Sequence, residues 1–126
     1  MTIRVFLVED NPLIRGSLIE ALEELALVQV VAFAATEDRA VEWLNENRDG
    51  CDLVVVDIFL ERGSGLGVLT RCAHMASIAS VVLSNYVTAE MKRKCMDLGA
   101  SRVFDKSNEI EELIEFCTSL DDGEAL

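Results

Sequence analysis

Five short, largely apolar runs punctuate the chain: Ile3–Val8, Val28–Phe33, Leu53–Val56, Val81–Leu83 and Val103–Phe104. Several are continuous rather than alternating in polarity, the pattern of strands covered on both faces of a parallel sheet. Between them lie segments with helical spacing. Ile14, Leu18, Ala21, Leu22 and Leu25 form one stripe, and Ile110, Leu113, Ile114 and Cys117 form the last. Ala40, Trp43, Leu44 and Asn47 mark a second segment less cleanly.

Capping signals agree with this division. Asn11 before Pro12 is an N-cap with proline at the first helical position. Thr36 precedes Glu37 and Asp38, whose charges suit a helix N-terminus. Thr88 opens a fourth helix, Gly99 ends it in a left-handed conformation, and Asn108 with Glu111 has the spacing of a capping box. The order is therefore βαβαβαβαβα without linkers. Parallel strands joined by right-handed crossovers put helices on both faces. The expected fold is a three-layer αβα sheet of the flavodoxin-like type, five parallel strands in order 2-1-3-4-5 with five helices.

In such sheets ligands bind beyond the carboxyl ends of the strands, where the order reverses. Strand one ends in Val8-Glu9-Asp10 and strand three in Val56-Asp57, so three carboxylates are expected on one edge. Two such charges about 4 Å apart repel by roughly 4 kcal/mol at an effective dielectric near 20. A hard divalent cation with oxygen ligands relieves this, and Mg²⁺ takes one or two carboxylates, waters and a substrate phosphate. Read singly, Asp10 is a helix cap and Asp57 a solvated turn; it is their convergence that points to a metal. Ser84, at the end of strand four, brings a hydroxyl, and Lys106, after strand five, a mobile cation. Alone, each is ordinary loop chemistry. Together with the acids they supply what phosphoryl transfer needs: a nucleophile, a metal and a cation.

The 126 residues suit one domain, and a hydrophobic content of 51% is enough for its core. Lys and Arg number 11 against 23 Asp and Glu, a formal charge of −12. That field disfavours direct binding to nucleic acid or to an anionic membrane. Cys51, Cys72, Cys95 and Cys117 form no C-x-x-C pair and read as small apolar residues in a reducing compartment. Met1-Thr2-Ile3-Arg4 runs straight into a strand pattern without a signal-peptide design, and no apolar stretch reaches about 18 residues; a cytoplasmic location is expected.

With Glu9-Asp10, Asp57, Ser84 and Lys106 in this order, and Asp57-Ile58-Phe59-Leu60-Glu61-Arg62-Gly63-Ser64-Gly65-Leu66 after the third strand, the sequence resembles the receiver-domain family of bacterial two-component response regulators. The resemblance runs from Ile3 to about Leu120. It implies a receiver domain over residues 1–120, followed by a short acidic tail, 121–126. By the same resemblance Asp57 is the phosphoacceptor, served by a sensor histidine kinase or a phosphotransfer protein. Asp10, Asp57 and the backbone carbonyl of Phe59 would coordinate Mg²⁺ directly, and Glu9 would act mainly through a bound water. Lys106 would pair with the phosphoryl oxygens, and Ser84 would swing inward to hydrogen-bond to them. The output would be a changed surface of helix four, strand five and helix five, offered to a downstream protein target or to a second copy in a homodimer. Such a domain catalyses only its own phosphorylation and dephosphorylation.

Departures from the family pattern carry their own expectations. Glu61 replaces the proline that usually follows Leu60, and Lys106-Ser107 replaces Lys-Pro. Val103 stands where an aromatic switch residue is common, and its neighbour Phe104 should face the other side of the sheet. Phe59 and Tyr86 occupy the two variable positions flanking the phosphoryl group, where their bulk is expected to hinder the attacking water.

Other motifs carry less. Gly63-Ser64-Gly65-Leu66-Gly67 is not G-x-G-x-x-G and reads as a turn and helix start. His74, the only histidine, reads as a helix-surface or helix-end residue, and Trp43 and Met91 as packing. An aspartyl phosphatase is one rival function, but Phe59 stands where a second acid is wanted. A flavin carrier is another, and its phosphate would meet the acids of strand one. A receiver that binds partners without phosphorylation is the third, against which the intact acidic set argues.

Overall fold

A computed structural model describes residues 2–121. Ten elements alternate along the chain: β1 (Arg4–Val8), α1 (Pro12–Leu25), β2 (Gln29–Ala34), α2 (Glu37–Glu46), β3 (Leu53–Val56), α3 (Gly65–Cys72), β4 (Ala79–Ser84), α4 (Ala89–Asp97), β5 (Arg102–Asp105) and α5 (Ile110–Asp121). The strands form one sheet in order β2-β1-β3-β4-β5, and every neighbouring pair is parallel. Both the alternation and the order agree with expectation. Of the acidic tail, residues 122–126 lie outside the described part, and Asp121 closes α5.

Side chains alternate between the two faces of each strand, which splits the core in two. Phe6, Val8, Val54, Val56, Val82 and Val103 pack against α2, α3 and α4. Val5, Leu7, Val55, Val81, Leu83 and Phe104 pack against α1 and α5. Val103 and Phe104 thus face opposite layers, as strand geometry requires. Each fully buried aliphatic or aromatic side chain adds about 1.5–3 kcal/mol. The central strand β3 is buried along its whole length, which explains its unbroken Leu-Val-Val-Val run, whereas edge strand β2 is only partly covered. All four cysteines are free and buried. Burial pushes the Cys51 thiol up to about 11 and those of Cys72 and Cys117 up to about 12, so they behave as core residues.

Most caps form as expected. The Asn11 side chain accepts from the amides of Leu13 and Ile14, Thr36 from Arg39, and Thr88 from Met91. Gly99, at φ +106°, closes α4: its amide donates to Met96 and that of Ala100 to Cys95, the paired bonds of a Schellman motif. The Asn108–Glu111 capping box is a correction. α5 begins at Ile110, one residue too late for Asn108 to cap it. The Glu109 carboxylate instead accepts from the Asp105 amide, folding the chain back on the end of β5.

Candidate functional site at the strand ends

β1 and β3 are direct neighbours, paired from Val5↔Leu53 to Val8↔Val56. Their ladders run one residue further: the Asp57 amide donates to Val8 and the Glu9 amide to Ala34. The backbone of the residue after each of the two buried valines is therefore fixed by the sheet's own ladder. Glu9, Asp10 and Asp57 each offer a carboxylate oxygen, and these oxygens lie within 4.8 Å of one another. Glu9 is 1% exposed and Asp57 7%. Such a cluster must be compensated, because burial penalises each charge and the charges repel.

Lys106 supplies part of the compensation. The β4–β5 ladder continues into a bond from the Lys106 amide to the Ser84 carbonyl, which brings the lysine to the edge. Its Nζ donates to Glu9 Oε1 at 2.5 Å and to Asp57 Oδ2 at 2.7 Å. Burial works against the ammonium, but the bonds to Asp57 and Glu9 prevail and hold its pKa above 10.5. Burial dominates at Glu9 and raises its carboxyl above the usual range despite Lys106. The other Asp57 oxygen, Oδ1, accepts from the Ser84 hydroxyl at 2.5 Å and from the Phe59 amide at 3.1 Å. Asp10 Oδ2 accepts from the Glu61 amide at 2.6 Å. No buried side-chain nitrogen or oxygen among the described residues lacks a partner.

The structure thus gathers Glu9, Asp10, Asp57, Ser84, Lys106 and the backbone at Phe59 into one site. Ser84 already occupies an inward position, completely buried against Asp57. Glu9 bonds directly to Lys106 through one oxygen and to the Asn11 amide through the other. Phe59 is 52% exposed, whereas Tyr86 is 91% exposed at a left-handed φ of +57°, so the tyrosine ring screens little here. His74 lies exposed just past α3, away from this edge.

Three participants escape a reading of the sequence. Gly65 passes so close to β3 that an added Cβ would stand 2.2 Å from the Asp57 carbonyl oxygen. Arg15, on α1, donates to the Glu9 carbonyl. Glu37 reaches from α2 to the Ser64 amide at 2.8 Å. The glycines around residue 65, read from the sequence only as a turn and helix start, are the one local signal that could have marked this close approach.

The fold and these strand-end groups define a doubly wound α/β domain with a carboxylate site at its switch point. The chain belongs to the response regulator receiver domain family, whose model matches residues 5–118. It is similar to a protein-glutamate methylesterase/protein-glutamine glutaminase of Azospirillum brasilense, 28% identical over 114 residues, which cover 88% of this chain and 28% of that protein. Transcriptional regulatory protein PdtaR of Mycobacterium tuberculosis is 30% identical over 111 residues, covering 88% of this chain and 53% of that protein. The chain therefore spans about half or less of the length of these relatives. The response regulator domain of Thermotoga maritima CheB shares the fold with a TM-score of 0.84 at 20% identity, over 99% of this chain and 100% of that one. No helix among the described residues is long and apolar enough to cross a membrane.

Proposed function

We propose that this chain, as a single receiver unit over residues 1–120, accepts a phosphoryl group on Asp57 from a sensor histidine kinase or phosphotransfer protein. The observation that carries the reading is the grip on Asp57. Ser84 and the Phe59 amide hold one oxygen and Lys106 the other, beside two further acids. The donor set suits magnesium: the cluster offers hard carboxylate oxygens and neither thiolate nor imidazole. Asp10, Asp57 and the Phe59 carbonyl would be direct ligands, with Glu9 acting through water. The bound ion would neutralise the three acids and the oxygens of the transferring group.

Asp57 is the nucleophile. One of its oxygens forms an O–P bond as the N–P bond of a phosphohistidine breaks and the electron pair returns to the imidazole. Lys106, a cation on a flexible stem, exchanges its bond to Asp57 for the phosphoryl oxygens. Ser84, already beside Oδ1, donates its hydroxyl to the same group. The Lys106 amide donates to the Ser84 carbonyl, so the ends of β4 and β5 are joined directly beside the phosphoacceptor. The change would reach α4, β5 and α5, the surface offered to a downstream protein or a second copy. With Val103 buried in place of an aromatic, the β4–α4 loop carries the signal. We place this activity in the cytoplasm, without direct contact to nucleic acid or membrane, and without turnover of external phosphate esters.

The test is incubation with acetyl phosphate and Mg²⁺, followed by intact mass. One phosphoryl group is expected on the parent and none on Asp57→Asn. No gain by the parent, an equal gain by the variant, or steady hydrolysis of a generic phosphate ester would contradict the reading.

A further inference from the structure

Three carboxylates hold amides of the β3–α3 loop, residues 57–64: one from the loop itself, one from the segment after β1 and one from α2. Asp57 holds the Phe59 amide and Asp10 the Glu61 amide. Both acids belong to the candidate metal site. The third carboxylate, that of Glu37 at the start of α2, does not.

Glu37 occupies a cradle made by two glycines. Its Oε1 accepts from the Ser64 amide at 2.8 Å, and its own amide donates to the Arg62 carbonyl at 3.2 Å. A Cβ at Gly67 would stand 2.1 Å from Glu37 Oε2, and one at Gly63 would stand 2.5 Å from Glu37 Cβ. Gly63 also has φ +80°, a conformation other residues rarely adopt. Space has therefore been cleared on both sides of one carboxylate.

We propose that Glu37 is a positioning residue for the metal site, its carboxylate latching the loop that carries Phe59 through Ser64 and the Gly63–Gly67 cradle. The inference rests on the receiver reading above. Asp10 is shared: the oxygen that now holds the Glu61 amide belongs to a group that would also ligate the cation. Glu37 lies outside that competition, so it keeps the loop in place while Asp10 serves the metal. A preorganised loop binds the cation more tightly because less ordering remains to be done on binding. Direct outer partners of metal ligands commonly change affinity by about ten- to a hundredfold when removed; Glu37 bonds to Ser64 and Arg62 rather than to a ligand itself, so the low end of that range applies.

The test compares the parent with Glu37→Ala, Glu37→Gln and Gly67→Ala. Calorimetric titration with Mg²⁺ alone is joined to hydrogen exchange at the Ser64 amide in the metal-free chain. Gly67→Ala leaves Glu37 intact but expels its carboxylate, and it replaces a helical glycine with a better helix former, so folding is kept. Glu37→Gln retains an oxygen acceptor for Ser64. Glu37→Ala and Gly67→Ala are expected to weaken Mg²⁺ binding by about tenfold and to speed exchange at Ser64, while Glu37→Gln stays close to the parent. Phosphorylation by acetyl phosphate is expected to recover in both weakened variants at saturating Mg²⁺. Unchanged Mg²⁺ affinity in Glu37→Ala or Gly67→Ala, even with a lowered Tm, overturns the latch and leaves the receiver reading intact. Equal weakening by Gln and Ala also overturns it, since charge rather than hydrogen bonding would then be responsible. Failure of the parent itself to bind Mg²⁺ overturns the receiver reading.

Discussion

Lys106 Nζ stands 2.5 Å from Oε1 of Glu9, a carboxylate that is 1% exposed and lies 97 residues away in sequence. Removing the ammonium leaves a buried acid without its cation. Lys106→Met is expected to lower the stability of the metal-free protein by about 3 kcal/mol at neutral pH. Added Mg²⁺ should return a larger share of stability to this variant than to the parent. Urea unfolding with and without Mg²⁺ measures both effects, and a loss indistinguishable from zero would exclude the pairing.

The pH dependence follows from the same pair. The folded pKa of Glu9 is raised above 4.5, so between these values the native state binds more protons than the unfolded chain. Its contribution to stability therefore falls as pH rises through that window, and Glu9→Gln should remove the fall. Asp52 has the opposite sign. Burial would raise its carboxyl, but the Arg4 guanidinium and amide outweigh burial and hold it below 3.8. Its contribution is present above 3.8 and disappears as pH drops through the lowered value, a loss that Asp52→Asn should abolish. Lys106 contributes fully below 10.5 and loses its contribution as pH rises through its raised value. Denaturation midpoints collected across pH for the parent and the two carboxylate variants would show whether these signs hold.

Phe59 and Tyr86 separate in the structure although the sequence pairs them. Phe59 is half-exposed beside Asp57, whereas Tyr86 stands almost wholly in solvent. Phe59→Asn is expected to shorten the aspartyl-phosphate half-life by about tenfold, equivalent to about 1.4 kcal/mol in the hydrolysis barrier. Tyr86→Glu alone should change it by less. Decay of the phosphorylated mass species gives the half-lives directly, and an unchanged half-life in Phe59→Asn would remove the shielding argument.

At Gly65 the constraint comes from backbone rather than from a movable side chain. A Cβ there would stand 2.2 Å from the Asp57 carbonyl oxygen and 2.7 Å from Ile58 Cα. Gly65→Ala is therefore expected to destabilise the fold by about 3 kcal/mol and to weaken Mg²⁺ binding with it. Chemical denaturation and metal titration of the variant would establish both.

Much of this was legible in the sequence because the strand ends are marked twice, by the end of an apolar run and by a polar residue that no core can absorb unpaired. Val8-Glu9 and Val56-Asp57 show the rule, and the strand order brings the two marks together. What remained hidden depends on contacts across the fold. The bond between Lys106 and Glu9 joins residues 97 positions apart, and its geometry follows from β4–β5 register rather than from either local segment. Glu37 read as a favourable charge at a helix start, and nothing local marks its carboxylate as belonging to the β3–α3 loop. The Asn108 cap failed for a related reason. Glu109 competes by bonding back to the Asp105 amide, and the helix starts one residue later.

The most direct measurement locates the phosphoryl group itself. The chain would be treated with acetyl phosphate and Mg²⁺, the acyl phosphate reduced with borohydride, and the peptides sequenced by mass spectrometry. Homoserine at position 57, and there alone, is the expected result, with none formed when Mg²⁺ is chelated. Homoserine at Asp10, or the longer 5-hydroxynorvaline at Glu9, instead of homoserine at Asp57, or no reduced residue at any position in the presence of Mg²⁺, would contradict the assignment of Asp57 as phosphoacceptor.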